Sequence, residues 1–164
     1  MSHATDIPVT TAVRFLRERK IPFEPHTYRY VEHGGTAAAA AALGVPEHAV
    51  VKTLVMEDDR GNGLIVLMHG DREVSTKELA RFLKVKSVSP SPPDQAMRRT
   101  GYVVGGTSPF GTRTELPVYA EGTIFALPRV FINGGKRGFL VSVNPSDIRS
   151  PLSVTEVSVG ISPA

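Results

Sequence analysis

Apolar residues recur at helical spacing early in the chain, and turn residues divide this part into two helices. Residues 10–20 carry a narrow apolar stripe, and Pro22 ends the helix that this stripe predicts. After a glycine turn, Thr36 is placed to cap a second helix that runs through the alanines at 37–42. Gly44 follows as the C-terminal stop of that helix.

Two further helices and a helical turn are predicted later in the chain. Ser75 and Glu78 form a capping box in front of residues 76–83. The apolar spacing of that helix predicts a buried face made of Leu79, Phe82 and Leu83. Prolines in its first turn start a short helix over residues 92–99, and Asn144-Pro145 begins a final helical turn.

Runs of β-branched and aliphatic residues predict the strands, because such side chains suit a pleated surface. The expected strands cover residues 23–30, 50–56, 64–68, 85–89, 116–120, 129–133 and 139–143. The second and third of these are separated by a short polar segment and predict a hairpin. Gly134-Gly135 is expected to be a turn, and residues from Ser153 onward a loose edge strand. With no internal repeat and no long linker, these elements predict one α+β domain over residues 1–164, built on a mixed sheet that carries helices.

Composition narrows the class of protein. The chain has 164 residues and a net charge of +3, from 19 Lys and Arg against 16 Asp and Glu, which does not mark a general nucleic-acid binder. There are no cysteines, so disulfides are excluded. The N-terminal residues lack the pattern of a signal peptide, and no apolar run is long enough for a membrane span. We therefore expect a cytoplasmic protein without a membrane partner.

Residues 100–111, T-G-Y-V-V-G-G-T-S-P-F-G, carry the densest signal for a binding site. A short apolar run is expected to end a strand at Gly105 and Gly106. Paired glycines allow positive φ and let another molecule approach the backbone closely. Such a turn presents several backbone N–H groups at one point, which suits anionic or carbonyl oxygens. A tight loop between two strands explains the same residues equally well.

Two motifs for phosphate and ester chemistry are incomplete. Residues 106–112 have the glycine spacing of a phosphate loop, but Thr112 stands where that loop needs a lysine. Residues 106–110 do not form a nucleophile elbow, because the second glycine comes one residue late. Ser108 is left as a nucleophile with no evident His or Asp partner, so a serine hydrolase is the weakest of the enzyme hypotheses.

The sequence also lacks a metal-binding pattern. Its histidines stand at positions 3, 26, 33, 48 and 69 and form neither H-x-H nor H-E-x-x-H, and no cysteine is present to assist. We therefore expect no metal and no cofactor.

Four other side chains are candidates for binding, each with an ordinary structural explanation. Lys52 lies inside an apolar strand, where it either points to solvent or holds a phosphate or carboxyl oxygen as a point charge. Tyr28 is either a half-buried aromatic or part of the same site. Lys136 and Arg137, in a G-G-K-R-G segment, belong either to a solvated hairpin or to a phosphate contact.

Five segments together resemble the YbaK/EbsC family of aminoacyl-tRNA deacylases, which is related to the editing domain of bacterial prolyl-tRNA synthetases. They are I-P-F-E-P-H-T-Y (21–28), V-V-K-T-L-V (50–55), S-T-K-E-L-A-R-F-L (75–83), T-G-Y-V-V-G-G-T-S-P-F-G (100–111) and I-N-G-G-K-R-G (132–138). They occur in the order seen in the family and span most of the chain. The resemblance implies a compact α+β fold with a mixed, mostly antiparallel, barrel-like sheet and surrounding helices.

The resemblance also implies roles for particular residues. Lys52, Gly105 and Gly106 correspond to catalytic positions: the lysine lies near the terminal adenosine and phosphate, and the glycines supply backbone contacts to the ester. The substrate-binding positions that it implies are Tyr28, Thr53, Thr107, Ser108, Pro109, Gly134 and Gly135. Lys52, Lys136 and Arg137 correspond to tRNA-binding positions.

The reaction implied is hydrolysis, without a metal, of the ester joining a wrong amino acid to the tRNA 3′ end. The K-T-L and G-G-x-S-P segments are similar to members that clear cysteine from proline tRNA, in which the cysteine thiol assists its own release. Leu140 stands where some of those members carry an acidic residue, so the preferred amino acid stays open between cysteine and another such as alanine. Prolyl-tRNA synthetase is an expected partner. The alternative from another class is a module that binds tRNA ends or nucleotides without hydrolysis.

Overall fold

Residues 7–163 are described by a computed structural model; His3 and most of the N-terminal segment considered above lie outside the described residues. The helices are α1 (Thr11–Glu18), α2 (Gly35–Leu43), α3 (Thr76–Leu83), α4 (Pro93–Thr100) and α5 (Ser146–Arg149), with 3₁₀ turns at Glu47–Ala49 and Gly122–Ala126. The strands are β1 (Glu24–Thr27), β2 (Val50–Asp58), β3 (Gly63–His69), β4 (Glu73–Val74), β5 (Val88–Pro90), β6 (Val118–Glu121), β7 (Val130–Lys136), β8 (Phe139–Val143), β9 (Thr155–Val157) and β10 (Gly160–Ile161). None of the helices within this range is both long and apolar enough to cross a membrane.

One large mixed sheet organises the fold. Its strands run in the order β1-β8-β7-β2-β3-β6-β9, and β5 pairs with β2 beside this path. The pairs β2–β7, β3–β6 and β6–β9 are parallel and the other pairs are antiparallel, including the separate ladder of β4 and β10. This architecture confirms the predicted α+β fold with a mixed, mostly antiparallel sheet. The extent of the domain over 1–164 stays a prediction.

The helices pack on both faces of this sheet. The buried side of α1 joins a core cluster with β3, β7 and β8, whereas α3 covers a second cluster formed by β2, β3 and β5. The alanines of α2 form a third cluster with Val50, Phe131 and Leu140. Alanine has no side chain beyond Cβ, so α2 can lie close to β2 and β7.

The local signals placed most elements correctly. The β2–β3 hairpin is confirmed, and Ser75 caps α3 by accepting a hydrogen bond from the Glu78 N–H at 3.2 Å. Gly44 ends α2 in the left-handed conformation, with φ of 67°. The prediction for Thr36 was wrong: α2 starts at Gly35, so Thr36 lies inside the helix, where its hydroxyl donates to the Glu47 carboxylate at 2.7 Å.

Three other sequence predictions were wrong in detail. Phe82 is 50% exposed, because Leu79 and Ala80 define the buried face of α3. The strand expected over 85–89 covers only Val88–Pro90. Val103 and Val104 do not belong to a strand and lie exposed in an irregular loop.

The predicted turn at Gly134-Gly135 is instead a bulge inside β7. Asn133 pairs with Leu140 and Lys136 pairs with Phe139, so β7 carries two extra residues at this point. A Cβ on Gly134 would lie 2.4 Å from the ring of Phe139, and that ring is only 1% exposed. The glycine is therefore explained by close packing of the strand on a buried ring.

We expect Gly134→Ala to lower the free energy of unfolding by about 1–3 kcal/mol, because the added methyl group overpacks the interior. Urea denaturation of the purified variant measures this loss. Gly122→Ala is the matched control, since its Cβ would be in close contact only with the carboxylate end of the Glu156 side chain, at 2.9 Å, and would lie at an ordinary 3.8 Å from the Val157 carbonyl. Equal stability of the two variants would contradict the packing explanation.

Candidate active site

A cleft of about 970 Å³ lies along one edge of β2. On this edge β7 pairs with Val50 and Val51 and β5 pairs with residues 56–58, so the four residues Lys52–Val55 have no strand beside them. Ser91 N–H donates to the Val55 carbonyl at 3.0 Å, which shows that the backbone groups of Val55 point toward this edge. Alternation along the strand places the N–H and C=O of Thr53 there too. The cleft therefore has a polar strand edge as its floor.

The predicted site residues that line this cleft come from four segments of the chain. They are Tyr28, Lys52, Thr53, Gly105, Thr107 and Arg137. The fold thus brings together residues that are up to 109 positions apart in the sequence, between Tyr28 and Arg137.

Lys52 and Thr53 offer two kinds of polar group in the cleft. The Lys52 ammonium donates one hydrogen bond to the Arg72 carbonyl at 2.5 Å. Because an ammonium has three N–H donors, two remain for another partner. The hydroxyl of Thr53 is buried and has no hydrogen-bond partner among the described residues. A buried polar group without a partner costs free energy, which is consistent with a group that a ligand satisfies.

The opposite wall of the cleft is the loop that contains Gly105 and Gly106. The Gly106 N–H closes a turn by donating to the Val103 carbonyl at 2.9 Å. Two side chains from the β7–β8 region hold the loop: Asn133 Nδ2 donates to the Gly105 carbonyl at 3.1 Å, and Arg137 Nε donates to the Val104 carbonyl at 2.8 Å. These bonds fix the position of the loop backbone beside the cleft.

Glycine is required at both positions of this pair. Gly105 has φ of 84°, and a Cβ there would lie 2.6 Å from the hydroxyl of Tyr30. A Cβ on Gly106 would lie 3.0 Å from the backbone nitrogen of Arg137 and 3.1 Å from the carbonyl carbon of Lys136. The first glycine serves the conformation of the loop, and both permit its close packing against Tyr30 and the turn after β7.

Two tyrosines form the end wall of the cleft. Tyr28 and Tyr30 both line it, and the Arg137 guanidinium lies over the Tyr30 ring at 5.5 Å from the centroid. Burial raises the pKa of Tyr28 above its ordinary value, and the neighbouring Tyr30 raises it further. The Tyr28 hydroxyl is therefore a neutral donor or acceptor at physiological pH.

Several residues predicted for the site do not line the cleft. They are Gly106, Ser108, Pro109, Gly134, Gly135 and Lys136. Ser108 is 0% exposed, and its hydroxyl accepts a hydrogen bond from the Phe110 N–H at 3.3 Å. This position does not suit a serine nucleophile. Lys136 is exposed outside the cleft. Gly135 packs against Tyr102, since a Cβ on this glycine would lie 2.8 Å from the Tyr102 ring.

Sequence reasoning did not single out Tyr30, Thr36 or Asn133 as site residues, although all three line the cleft. Asn133 belongs to the I-N-G-G-K-R-G segment (132–138) and directly precedes Gly134-Gly135. Its Oδ1 accepts the Gly135 N–H at 2.6 Å, which leaves its Nδ2 to hold the loop. An asparagine in front of two glycines is a signal for this local turn and could have been used.

One cluster of potential metal ligands was not visible from sequence spacing. The nearest ligand atoms of His48, His69 and Asp71 lie within 4.8 Å of one another. Both ring nitrogens of His69 are hydrogen-bonded, to the His48 carbonyl and to the Thr123 hydroxyl, each at 2.7 Å. His48 Nδ1 is bonded to Asp71 at 2.9 Å. A metal ion would have to break these bonds, so the cluster fits a hydrogen-bond network better than a metal site.

Comparison with known proteins defines the class to which this fold and cleft belong. Residues 32–150 match the model of the aminoacyl-tRNA editing domain. The match spans more than half of the chain, and the chain therefore belongs to this family. Its members' activity is the hydrolytic editing of aminoacyl-tRNA, so the protein is a deacylase, which confirms the class of enzyme that the motifs predicted.

Individual relatives agree with this assignment. The chain is 27% identical over 142 residues to EbsC of Enterococcus faecalis, provisionally named a Cys-tRNA(Pro)/Cys-tRNA(Cys) deacylase, with 86% of this chain and 87% of that protein covered. It is 32% identical over 85 residues to proline–tRNA ligase of Trichlorobacter lovleyi, covering 52% of this chain but only 15% of the ligase. The fold matches the crystal structure of a protein provisionally described as a trans-editing enzyme for prolyl-tRNA synthetase, with TM-score 0.79, 20% identity, and 94% and 99% of the two chains covered.

The buried histidine beside the cleft predicts a pH dependence of stability. Burial lowers the pKa of His69 below 6.5, and the hydrogen bond to the His48 carbonyl only partly opposes this. Below pH 6.5 the unfolded chain therefore binds more protons than the folded one. We expect the free energy of unfolding to be highest above that pH and to fall as pH is lowered toward the folded-state pKa.

Thermal unfolding of His69→Asn from about pH 8 to pH 5 tests this expectation, because Asn keeps a donor but cannot titrate. The variant should be less stable than the wild type at pH 8 and lose less stability on acidification. His26, whose pKa is also lowered by burial, accounts for part of the remaining slope. His33→Asn, at an exposed position, is the control. Identical slopes in wild type and His69→Asn would contradict the assignment.

Proposed function

We propose that this deacylase acts in trans on Cys-tRNA(Pro) and removes the mischarged cysteine. The observation that carries the proposal is the joint placement of Lys52, Thr53 and the Gly105 loop around one cleft. The name and coverage of the Enterococcus relative support cysteine as the amino acid. Among the described residues that line the cleft, no serine or threonine hydroxyl is hydrogen-bonded to a histidine, which supports a reaction in which the substrate supplies its own nucleophile.

In this proposal the thiol of the cysteine attacks the carbonyl carbon of its own ester. A C–S bond forms, the C–O bond to the ribose breaks, and the thiol proton passes to the departing ribose oxygen. A cyclic thioester and free tRNA are the products, and water then opens the thioester to cysteine. The protein holds the reacting atoms in position and stabilises the negative charge that develops on the carbonyl oxygen.

The Gly105 loop is the source of that stabilisation. Within residues 7–163, the N–H groups of Gly105 and Thr107 have no hydrogen-bond partner, whereas that of Gly106 is engaged in the turn. We assign Gly105 and Thr107 as donors to the oxyanion, and Gly106 as the residue that allows the loop to pack closely. Preorganised backbone donors of this kind are often the largest single contribution to catalysis.

The remaining groups bind the tRNA end. Lys52 pairs with the phosphate of the terminal nucleotide, and Thr53 and Tyr28 contact the nucleoside or the amino acid. Arg137, at the rim, and the exposed Lys136 contact the tRNA backbone nearby. The other positions implied by the family resemblance, Ser108, Pro109, Gly134 and Gly135, act by shaping the backbone behind the cleft.

A second substrate is supported by a specific observation. Leu140 lines the cleft as an apolar residue where some cysteine-specific members carry an acidic one. An apolar wall also suits a small aliphatic side chain, so Ala-tRNA is the alternative substrate.

We further propose that the protein works in the cytoplasm beside prolyl-tRNA synthetase, as one domain over residues 1–164, and needs no metal.

Deacylation of Cys-tRNA(Pro), Ala-tRNA(Pro) and Pro-tRNA(Pro) by the purified protein, in the presence of a chelator, tests the proposal. We expect rapid loss of cysteine only. Loss of alanine only would show that the enzyme is specific for alanine and not for cysteine. Binding of tRNA without any hydrolysis would favour the non-catalytic binding module. Loss of all three at equal rates would contradict editing as the function.

Lys52→Ala should lower kcat/KM for the edited substrate by about 10–100-fold, the loss expected for one charge-assisted hydrogen bond. Lys77→Ala, which removes an exposed lysine from α3, is the matched control and should leave kcat/KM unchanged. An unchanged kcat/KM in Lys52→Ala, with folding verified by circular dichroism, would show that Lys52 does not take part in the site.

Thr53→Val separates substrate binding from stability. Valine has nearly the same shape but no hydroxyl, so it removes a buried group that has no partner in the free protein. We expect the melting temperature to stay equal or rise, and kcat/KM to fall by about 3–10-fold. Thr155→Val, on the exposed edge strand β9, serves as the control. A stability loss without a kinetic effect would show that the hydroxyl serves the fold.

A further inference from the structure

A short turn beside the cleft holds the ammonium group of Lys52. This turn, residues 70–72, follows β3 and is called the Arg72 turn below. Its last carbonyl accepts the hydrogen bond from Lys52 Nζ at 2.5 Å. The lysine side chain has four flexible methylene groups, so an unanchored ammonium would sample many positions. The direction of the Lys52 charge therefore depends on what holds the Arg72 turn.

The backbone of the turn is bonded to the ends of β2 and β3. The Gly70 N–H donates to the Val50 carbonyl at 2.6 Å, and the Arg72 N–H donates to the His69 carbonyl at 3.1 Å. The Thr36 hydroxyl, whose proton goes to the Glu47 carboxylate at 2.7 Å, also lies 3.3 Å from the Gly70 carbonyl. The Gly70 contacts hold the start of the turn and the Arg72 N–H bond holds its end, whereas Asp71, which is partly buried, is held through its side chain.

The side chain of Asp71 is held by a hydrogen bond with His48. The Asp71 carboxylate lies 2.9 Å from Nδ1 of His48, which belongs to the 3₁₀ turn at Glu47–Ala49. Burial alone would raise the pKa of Asp71, but the hydrogen bond and charge of His48 and the charge of Arg72 outweigh it, and the pKa is lowered. Asp71 is therefore a carboxylate at neutral pH.

His48 is itself fixed by a buried neighbour. Its ring stacks on that of His69 with centroids 3.7 Å apart and planes 7° from parallel. His69 is 1% exposed, and its Nδ1–H donates to the His48 carbonyl at 2.7 Å. Because one nitrogen of His69 donates to a carbonyl, the other accepts from the Thr123 hydroxyl, which defines a single neutral tautomer. The stack gives His48 a rigid support.

We propose that Asp71 and His48 are positioning residues for Lys52: their hydrogen bond sets the Arg72 turn, and the Arg72 carbonyl directs the Lys52 ammonium toward the substrate phosphate. This inference rests on the proposed function, and neither residue touches the substrate. Removal of the bond frees the turn at Asp71, and the ammonium then loses its fixed direction without loss of its charge.

Kinetics of Asp71→Ala test the proposal. We expect kcat/KM for the edited aminoacyl-tRNA to fall by about 3–10-fold, the effect of losing one hydrogen bond. Asp71→Asn keeps an acceptor oxygen for His48 and should recover most of the loss. The control is Asp94→Ala, which removes an exposed carboxylate of α4 that lies 3.9 Å from Arg98 and should not change kcat/KM. An unchanged kcat/KM in Asp71→Ala would overturn the inference.

A double-mutant cycle distinguishes positioning of Lys52 from a general structural effect. In the Lys52→Ala background, Asp71→Ala should change kcat/KM by less than about twofold, since the group through which Asp71 acts is already absent. Fully additive effects of the two substitutions would show that Asp71 acts independently of Lys52 and would overturn the inference.

Chemical labelling tests the same inference without reference to the reaction. Limiting acetic anhydride should acetylate Lys52 several-fold faster in Asp71→Ala than in the wild type, with Lys77 in the same molecule as the internal reference. Equal labelling ratios in the two proteins would overturn the positioning role. An inactive wild type with the expected labelling would instead place the failure in the proposed function.

Discussion

The interruption on one edge of β2 is the constraint on which the rest of the site depends. A strand edge in a protein interior normally has a partner, because buried backbone N–H and C=O groups must be hydrogen-bonded. Here β7 and β5 pair with the two ends of β2 and leave Lys52–Val55 between them. The unpaired edge forms the floor of a cleft, where Thr53 presents polar groups that a substrate can satisfy. In the proposed function, backbone groups of this edge contribute to substrate binding together with the side chains of the cleft.

Among the described residues, the candidate site combines backbone groups of the Gly105 loop with the charged side chains of Lys52 and Arg137. Asn133 and Arg137 hold the Gly105 loop by its carbonyl groups, and the Gly106 N–H closes a turn within the loop. Lys52 is held in turn by a carbonyl of the turn after β3. Groups that are oriented before the substrate binds need not reorganise during the reaction. The proposed reaction, in which the amino acid of the ester supplies the nucleophile, relies on such preorganised groups.

The elements that were predicted correctly depend on contacts within a few residues. The Ser75 capping box, the Gly44 stop of α2 and the β2–β3 hairpin are all local. Two of the predictions that were wrong depended on distant partners. Thr36 bonds to Glu47 and not to its own helix terminus, and Gly134 faces the buried ring of Phe139. No spacing rule within one element could indicate those partners.

The sequence by itself determined the α+β class, most helices and strands, and the family, because ordered motifs and local periodicity are properties of the chain. It also indicated Lys52, Gly105 and Tyr28 as candidate site residues, and all three line the cleft. Only the tertiary structure decided which candidates share the cleft, that Ser108 is buried, and that the turn bonded to Lys52 through the Arg72 carbonyl is also bonded to His48 through Asp71. Strand pairing brings residues together across long stretches of chain, and that pairing is settled by packing of the whole core.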